Sequence, residues 1–148
     1  MDVLRQLGVA TMMVSLTVLI HFVGLSILLA LIGRYRASAS QTGNIVGNAI
    51  AILGAAFGQF ALHGLEIWTY ALLYWGMAAF GTFEAALYFS TTTYATIGYG
   101  DLVLPTTIRL VGAIEGANGI ILLGWSTAFF FAVVDRMKLL ERELEDAA

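Results

Sequence analysis

Three long stretches almost free of charge decide what this chain can become. From Leu7 to Ile32 there is no Asp, Glu, Lys or Arg. From Ala37 to Phe83 the only one is Glu66, and from Gly112 to Val134 the only one is Glu115. About 20 apolar residues cross a hydrocarbon core, so each stretch is long enough to span. Charged residues make up 11% of the 148 residues, against about a quarter in soluble domains. A chain of this length cannot hide so much apolar surface in a soluble core. The fold class that follows is an all-α integral membrane protein, compact and single-domained. It has no cysteine, which excludes disulfides and thiolate metal sites. The net charge of -3, with no basic face, excludes nucleic acid as a partner.

Along the chain, the first apolar helix is expected from about Leu7 to Ile32. It is too long for the apolar part of a signal peptide, and Arg34 and Arg36 stand on the wrong flank. The polar link Gly33 to Gly43 carries two arginines and no acid, which the positive-inside tendency puts in the cytoplasm. The next stretch, Asn44 to about Gly81, suits one long helix ending near Trp75 better than two short ones. That choice gives three spanning helices and a cytoplasmic C-terminus. Phe83 to Tyr94 has helical spacing of Phe83, Leu87 and Tyr88. At about 18 Å it is too short to cross and is expected to be re-entrant. Pro105 then opens a last helix from about Thr106. The chain thus divides into 1–43, a first helix and link; 44–134, a core unit; and 135–148, a short amphipathic cytoplasmic tail.

Between the short and the last helix stands TTTYATIGYGD, residues 91 to 101. Non-helical backbone at membrane depth is tolerated only where it is buried in protein or lines a wet path. Gly98 and Gly100 can take positive φ without steric cost. Left-handed residues alternating with right-handed ones point successive carbonyls to one side, and rings of carbonyls can replace the hydration shell of a cation.

Thr96-Ile97-Gly98-Tyr99-Gly100-Asp101 resembles the TVGYGD-type selectivity filter of potassium channels. The resemblance runs from about Ala51 to Val134, covering outer helix, pore helix, filter and inner helix, and is closest to small prokaryotic tetrameric channels. It implies that carbonyls of Thr96, Ile97, Gly98 and Tyr99 coordinate K⁺, with the Thr96 hydroxyl adding the innermost ligands and Gly100 completing the filter. The side chains of Ile97 and Tyr99 are implied to pack on the pore helix. Asp101 is implied to sit behind the filter at the outer mouth, Gly119 to be the inner-helix hinge, and Gly124 to mark close packing of inner helices. Thr92 stands where some relatives carry a carboxylate paired with the aspartate, so the support behind Asp101 is left open between Tyr88 and Tyr94. One chain carries one filter, which implies a homotetramer in a lipid bilayer. The implied setting is a plasma membrane, bacterial and inner, with no cofactor beyond permeating K⁺.

The remaining polar residues are weighed singly. His63 and Glu66 are three apart and share a helix face. A hydrogen-bonded pair that docks helices is favoured over metal binding, because His21 and His63 have no evident further ligand. Glu115 is expected behind the filter, against the pore or outer helix. Asn118 is expected to face the central cavity. Val133, Met137, Leu140 and Leu144 have a short a/d spacing. No helix carries an arginine at every third position, so a voltage sensor of that kind is not expected. The first helix is extra to the minimal pore unit.

The function implied is passive K⁺ conduction by a non-enzyme. The alternatives are a weakly selective cation channel on the same scaffold and, less favoured, a subunit of a K⁺-uptake transporter. An intramembrane enzyme lacks any nucleophile–base or H-E-x-x-H arrangement.

Overall fold

The computed structural model describes the backbone of residues 2–38 and 45–146 and the side chains of residues 2–35 and 46–136. Four helices follow one another: α1 (Val3–Ser38), α2 (Ile45–Gly76), α3 (Phe83–Tyr94) and α4 (Arg109–Asp146). No strand occurs among the described residues. Helices α1, α2 and α4 are long and apolar enough to cross a membrane. The stretch after Asn44 is one helix, as its lack of proline or turn clusters implied. Helix α1 is longer at both ends than its apolar core, because hydropathy marks the buried length and not where helical hydrogen bonding stops. Most of the Gly33 to Gly43 link falls outside the described residues. So do the side chains of Met137, Leu140 and Leu144, and with them the a/d spacing of the tail.

The short helix α3 occupies the predicted range. Thr82 caps it: its Oγ1 accepts from the amide of Ala85 at 3.1 Å, and Glu84 lies in the first turn. Both favour a helix start there. The 12 residues of α3 reach only about 18 Å, which confines it to part of the membrane depth.

Helix α1 runs antiparallel to α2. Gln6 Oε1 accepts from the amide of Leu110 at 3.1 Å, tying the start of α1 to the start of α4. Near the other end Ile32 packs with Ala51, Ala55 and Val133. In mid-membrane the two backbones approach closely. A Cβ on Gly24 would lie 2.3 Å from Leu62 Cδ1, and one on Gly58 would lie 2.3 Å from Leu28 Cδ2. Each glycine is thus the socket for a leucine of the facing helix, the small-residue packing that membrane helices use. The main core joins Ala10 and Met13 of α1, Tyr70 and Tyr74 of α2, Ala86 of α3 and Val111 of α4. The buried positions of α1, namely Gln6, Ala10, Met13, Thr17, His21 and Leu25, recur every three or four residues. All of its buried polar groups therefore face the other helices.

Candidate functional site

The segment after α3 has the backbone pattern that its glycines suggest. Gly98 has φ 57° and Gly100 has φ 78°, and Thr96 also lies in the left-handed region at φ 58°. Left-handed residues at 96, 98 and 100 thus alternate with Ile97 and Tyr99. This alternation turns successive peptide planes the same way, where an ordinary strand would reverse them. A β-branched residue with positive φ is an outlier, costing about 1–2 kcal/mol. The end of α3 holds it in place. The Thr96 amide donates to Thr93 O at 3.0 Å, and the amides of Ile97 and Gly98 both donate to Thr92 O at 2.8 and 3.0 Å. These bonds occupy carbonyls that the end of a helix otherwise leaves bare. The left-handed Thr96 was not foreseen from the sequence. Carrying the alternation back two residues from Gly98 would have found it.

The profile of a family described as ion channel matches residues 60–136, just over half of the chain. The chain belongs to this ion channel family. No curated protein and no solved structure matches it significantly. The match begins within α2, so α1 lies wholly outside it. With three helices able to span, the channel is a multi-pass membrane protein.

In this channel Asp101 is supported by Tyr88. The Tyr88 hydroxyl donates to Asp101 Oδ2 at 2.9 Å, and the Leu102 amide donates to Oδ1 at 3.1 Å. The hydrogen bond to the Asp101 carboxylate raises the pKa of the Tyr88 phenol. Thr92 reaches no carboxylate. Its hydroxyl donates to Phe89 O at 3.0 Å, and its contribution to the segment is its backbone carbonyl. Tyr94 turns away from Asp101, and its hydroxyl donates to Glu66 of α2.

Ile97 is 52% and Tyr99 69% exposed in the single chain. Asn118 does not face a cavity. It is buried, with Nδ2 donating to Thr17 Oγ1 at 2.8 Å and lying 3.5 Å from the Tyr70 hydroxyl. A residue lining a central pore must lie on a face that one subunit leaves open, and Asn118 lies on the opposite, α1-facing side of α4. The phase of α4 against a helix outside the family match cannot be read from spacing. Replacing Asn118 by Ala is therefore expected to leave the flux and its block by cations unchanged. It should lower unfolding stability by about 1–3 kcal/mol, since Thr17 and Tyr70 lose a buried partner. Single-channel recording together with denaturant unfolding checks both halves.

Gly119 lies where α4 crosses the end of α3. A Cβ there would stand 2.2 Å from Tyr94 O, a backbone atom with no freedom to withdraw. Close approach alone thus requires a glycine at 119, whatever bending it also allows. At Gly124 nothing within the chain lies near a Cβ.

Two buried polar clusters stand among the helices. Glu115 is fully buried and accepts from Ser90 Oγ at 2.5 Å and from the Tyr74 hydroxyl at 2.6 Å. It thus ties α4 to α3 and α2. The second cluster draws on all four helices. Glu66 faces His21 Nδ1 at 2.8 Å through Oε1, and His63 Nδ1 at 3.0 Å through Oε2. His63 Nε2 lies 2.9 Å from Ser126 Oγ, and His21 Nε2 lies 3.4 Å from the same atom. The shared helix face of His63 and Glu66 was legible. The arrival of His21, Tyr94 and Ser126 was not, since each comes from a different helix.

Proposed function

We propose that the channel is a homotetrameric, K⁺-selective pore conducting passively across the plasma membrane of a bacterial cell, with a cytoplasmic C-terminus. The observation that carries this reading is the run of left-handed residues at 96, 98 and 100, on a segment whose Ile97 and Tyr99 are more than half exposed in the single chain. The alternation aligns the carbonyls of Thr96, Ile97, Gly98 and Tyr99 to one side. Four such strands around an axis make stacked rings of oxygens that take the place of water around a dehydrated K⁺. Fourfold assembly also supplies neighbours for Ile97 and Tyr99. It gives a partner surface to the exposed Ile120, Ile121, Trp125 and Phe131 of α4 and to Gly124 beside them.

The last turn of α3 directs the negative end of its dipole below the filter, where it favours a cation. No residue needs to form or break a bond in this process, so selection rests on geometry and fixed dipoles. Reversal potentials of the purified protein in planar bilayers, with K⁺ on one side and Na⁺ on the other, test the reading. A reversal potential near the K⁺ equilibrium value is expected. One near zero, with both ions carrying current, would replace it with a weakly selective cation channel.

A further inference from the structure

The cluster of His21, His63, Glu66, Tyr94 and Ser126 contains more order than helix docking needs. Both imidazoles present the same nitrogen to each side. The two Nδ1 atoms face one carboxylate, each against its own oxygen. The two Nε2 atoms face one hydroxyl oxygen, that of Ser126. A hydroxyl has one proton to donate and two lone pairs that accept. It can therefore serve two Nε2–H donors at once, but it cannot donate to two bare Nε2 atoms. With the proton of each imidazole on Nε2, both Nδ1 lone pairs are directed at a common point beside Glu66, as a metal site needs; with it on Nδ1, both rings donate to the carboxylate. Two nitrogen lone pairs facing a carboxylate repel it unless a cation lies between them.

We propose that His21, His63 and Glu66 bind one Zn²⁺-class transition-metal ion within each subunit. Two imidazole nitrogens and a carboxylate oxygen are a ligand set that zinc accepts. One ligand atom from each of the three residues falls within 4.8 Å of the others. Donors at about 2.1 Å from a tetrahedral ion stand about 3.4 Å apart, so the side chains must draw together to close the site. The Tyr94 hydroxyl, 3.1 Å from His63 Nδ1, stands on the same side and offers a fourth oxygen. Ser126 supplies the outer partner that ligating histidines ordinarily have on their second nitrogen. Gln59 fixes Ser126 in turn, with Nε2 donating to the Ser126 carbonyl at 2.7 Å. The side chain of His63 is 12% exposed, which leaves an edge for entry. An ion here fastens α1, the helix outside the family match, to Tyr94, two residues before Thr96.

The two histidines of the chain are both in this site, and it has no cysteine. The metal environment can thus be read without any variant. Tag-free, chelator-treated protein in detergent is titrated with Zn²⁺, washed, and measured for metal content and zinc X-ray absorption. One zinc per subunit with two imidazoles in its scattering pattern is expected. In parallel, Co²⁺ should give the strong visible bands of a four-coordinate ion and lose them to added Zn²⁺. His21→Gln should abolish saturable binding, and Ser126→Ala should weaken it by about 10–100-fold. Less than half an equivalent of zinc, fewer than two imidazoles, or full binding by His21→Gln would overturn the proposal and leave a hydrogen-bonded hub only. Should His21→Gln fail to assemble, the wild-type stoichiometry and imidazole count decide.

Discussion

Gly98→Ala is expected to abolish K⁺-selective flux, with a fall of at least about a hundredfold, while the subunit still folds. A methyl group at 98 meets no atom of its own chain within 4 Å, so steric collision inside the subunit is not the cause. The cost lies in the backbone. At φ 57° an L-residue is disfavoured by about 1–2 kcal/mol. If the filter is fourfold, the same strain recurs in each copy, for about 4–8 kcal/mol. The chain can escape by rotating residue 98 into the right-handed region, but that rotation turns a peptide plane over and takes a carbonyl out of its ring. A bias of about 5.5 kcal/mol moves a two-state equilibrium from almost wholly one side to almost wholly the other, so little conducting form should survive. Rubidium efflux from liposomes measures this. Gly54→Ala is the control, since Gly54 also has open space at its Cβ position but sits in α2 without a positive φ. Selective flux within threefold of wild type for Gly98→Ala would mean that the alternation is not what conducts.

How far such a prediction could be made from the sequence depends on where the constraint lies. The range of α3 was legible from the helical spacing of Phe83, Leu87 and Tyr88 and from the glycine motif that follows; the cap at Thr82 was seen only in the structure. Gly98 and Gly100 were legible because glycine is the residue that takes positive φ without penalty. Thr96 was hidden, because its left-handed backbone is imposed by amide bonds to Thr92 and Thr93 and not by its own chemistry. Tyr88 was one of two open partners for Asp101. The choice turned on Tyr94, which is drawn off by Glu66.

The orientation of α1 was the least accessible part. Its spacing of Gln6, Thr17 and His21 marks one polar face, but only the tertiary structure brings that face against Asn118 and Glu66. For the same reason Asn118 was assigned to the cavity side. Helical phase fixes which residues share a face, but not which neighbour that face meets.

Glu66→Ala should be the most destabilising substitution outside the filter, at about 3–5 kcal/mol per subunit. Glu66 is fully buried, accepts from the Tyr94 hydroxyl and lies within 3.0 Å of the Nδ1 atoms of His21 and His63. Truncating it strands three polar groups from three helices in an apolar surround, and removing one partner of a buried charged cluster costs about that much. Relaxation offers little relief, because His21 and Tyr94 are themselves fully buried. Glu115→Ala provides the comparison. It also removes a fully buried carboxyl group, but Ser90 keeps a second acceptor, the Ile67 carbonyl at 2.9 Å. The loss there falls mainly on the neutral Tyr74 hydroxyl, for about 1–3 kcal/mol. Thermal unfolding of the two variants in the same detergent, followed by helical circular dichroism, ranks them. If Glu115→Ala proved the more damaging, the hub around Glu66 would not be what holds α1 to the pore-forming helices. The match to known channels begins only within α2. Glu66 is therefore the point at which α1, which the family match does not cover, is joined through Tyr94 to the end of α3.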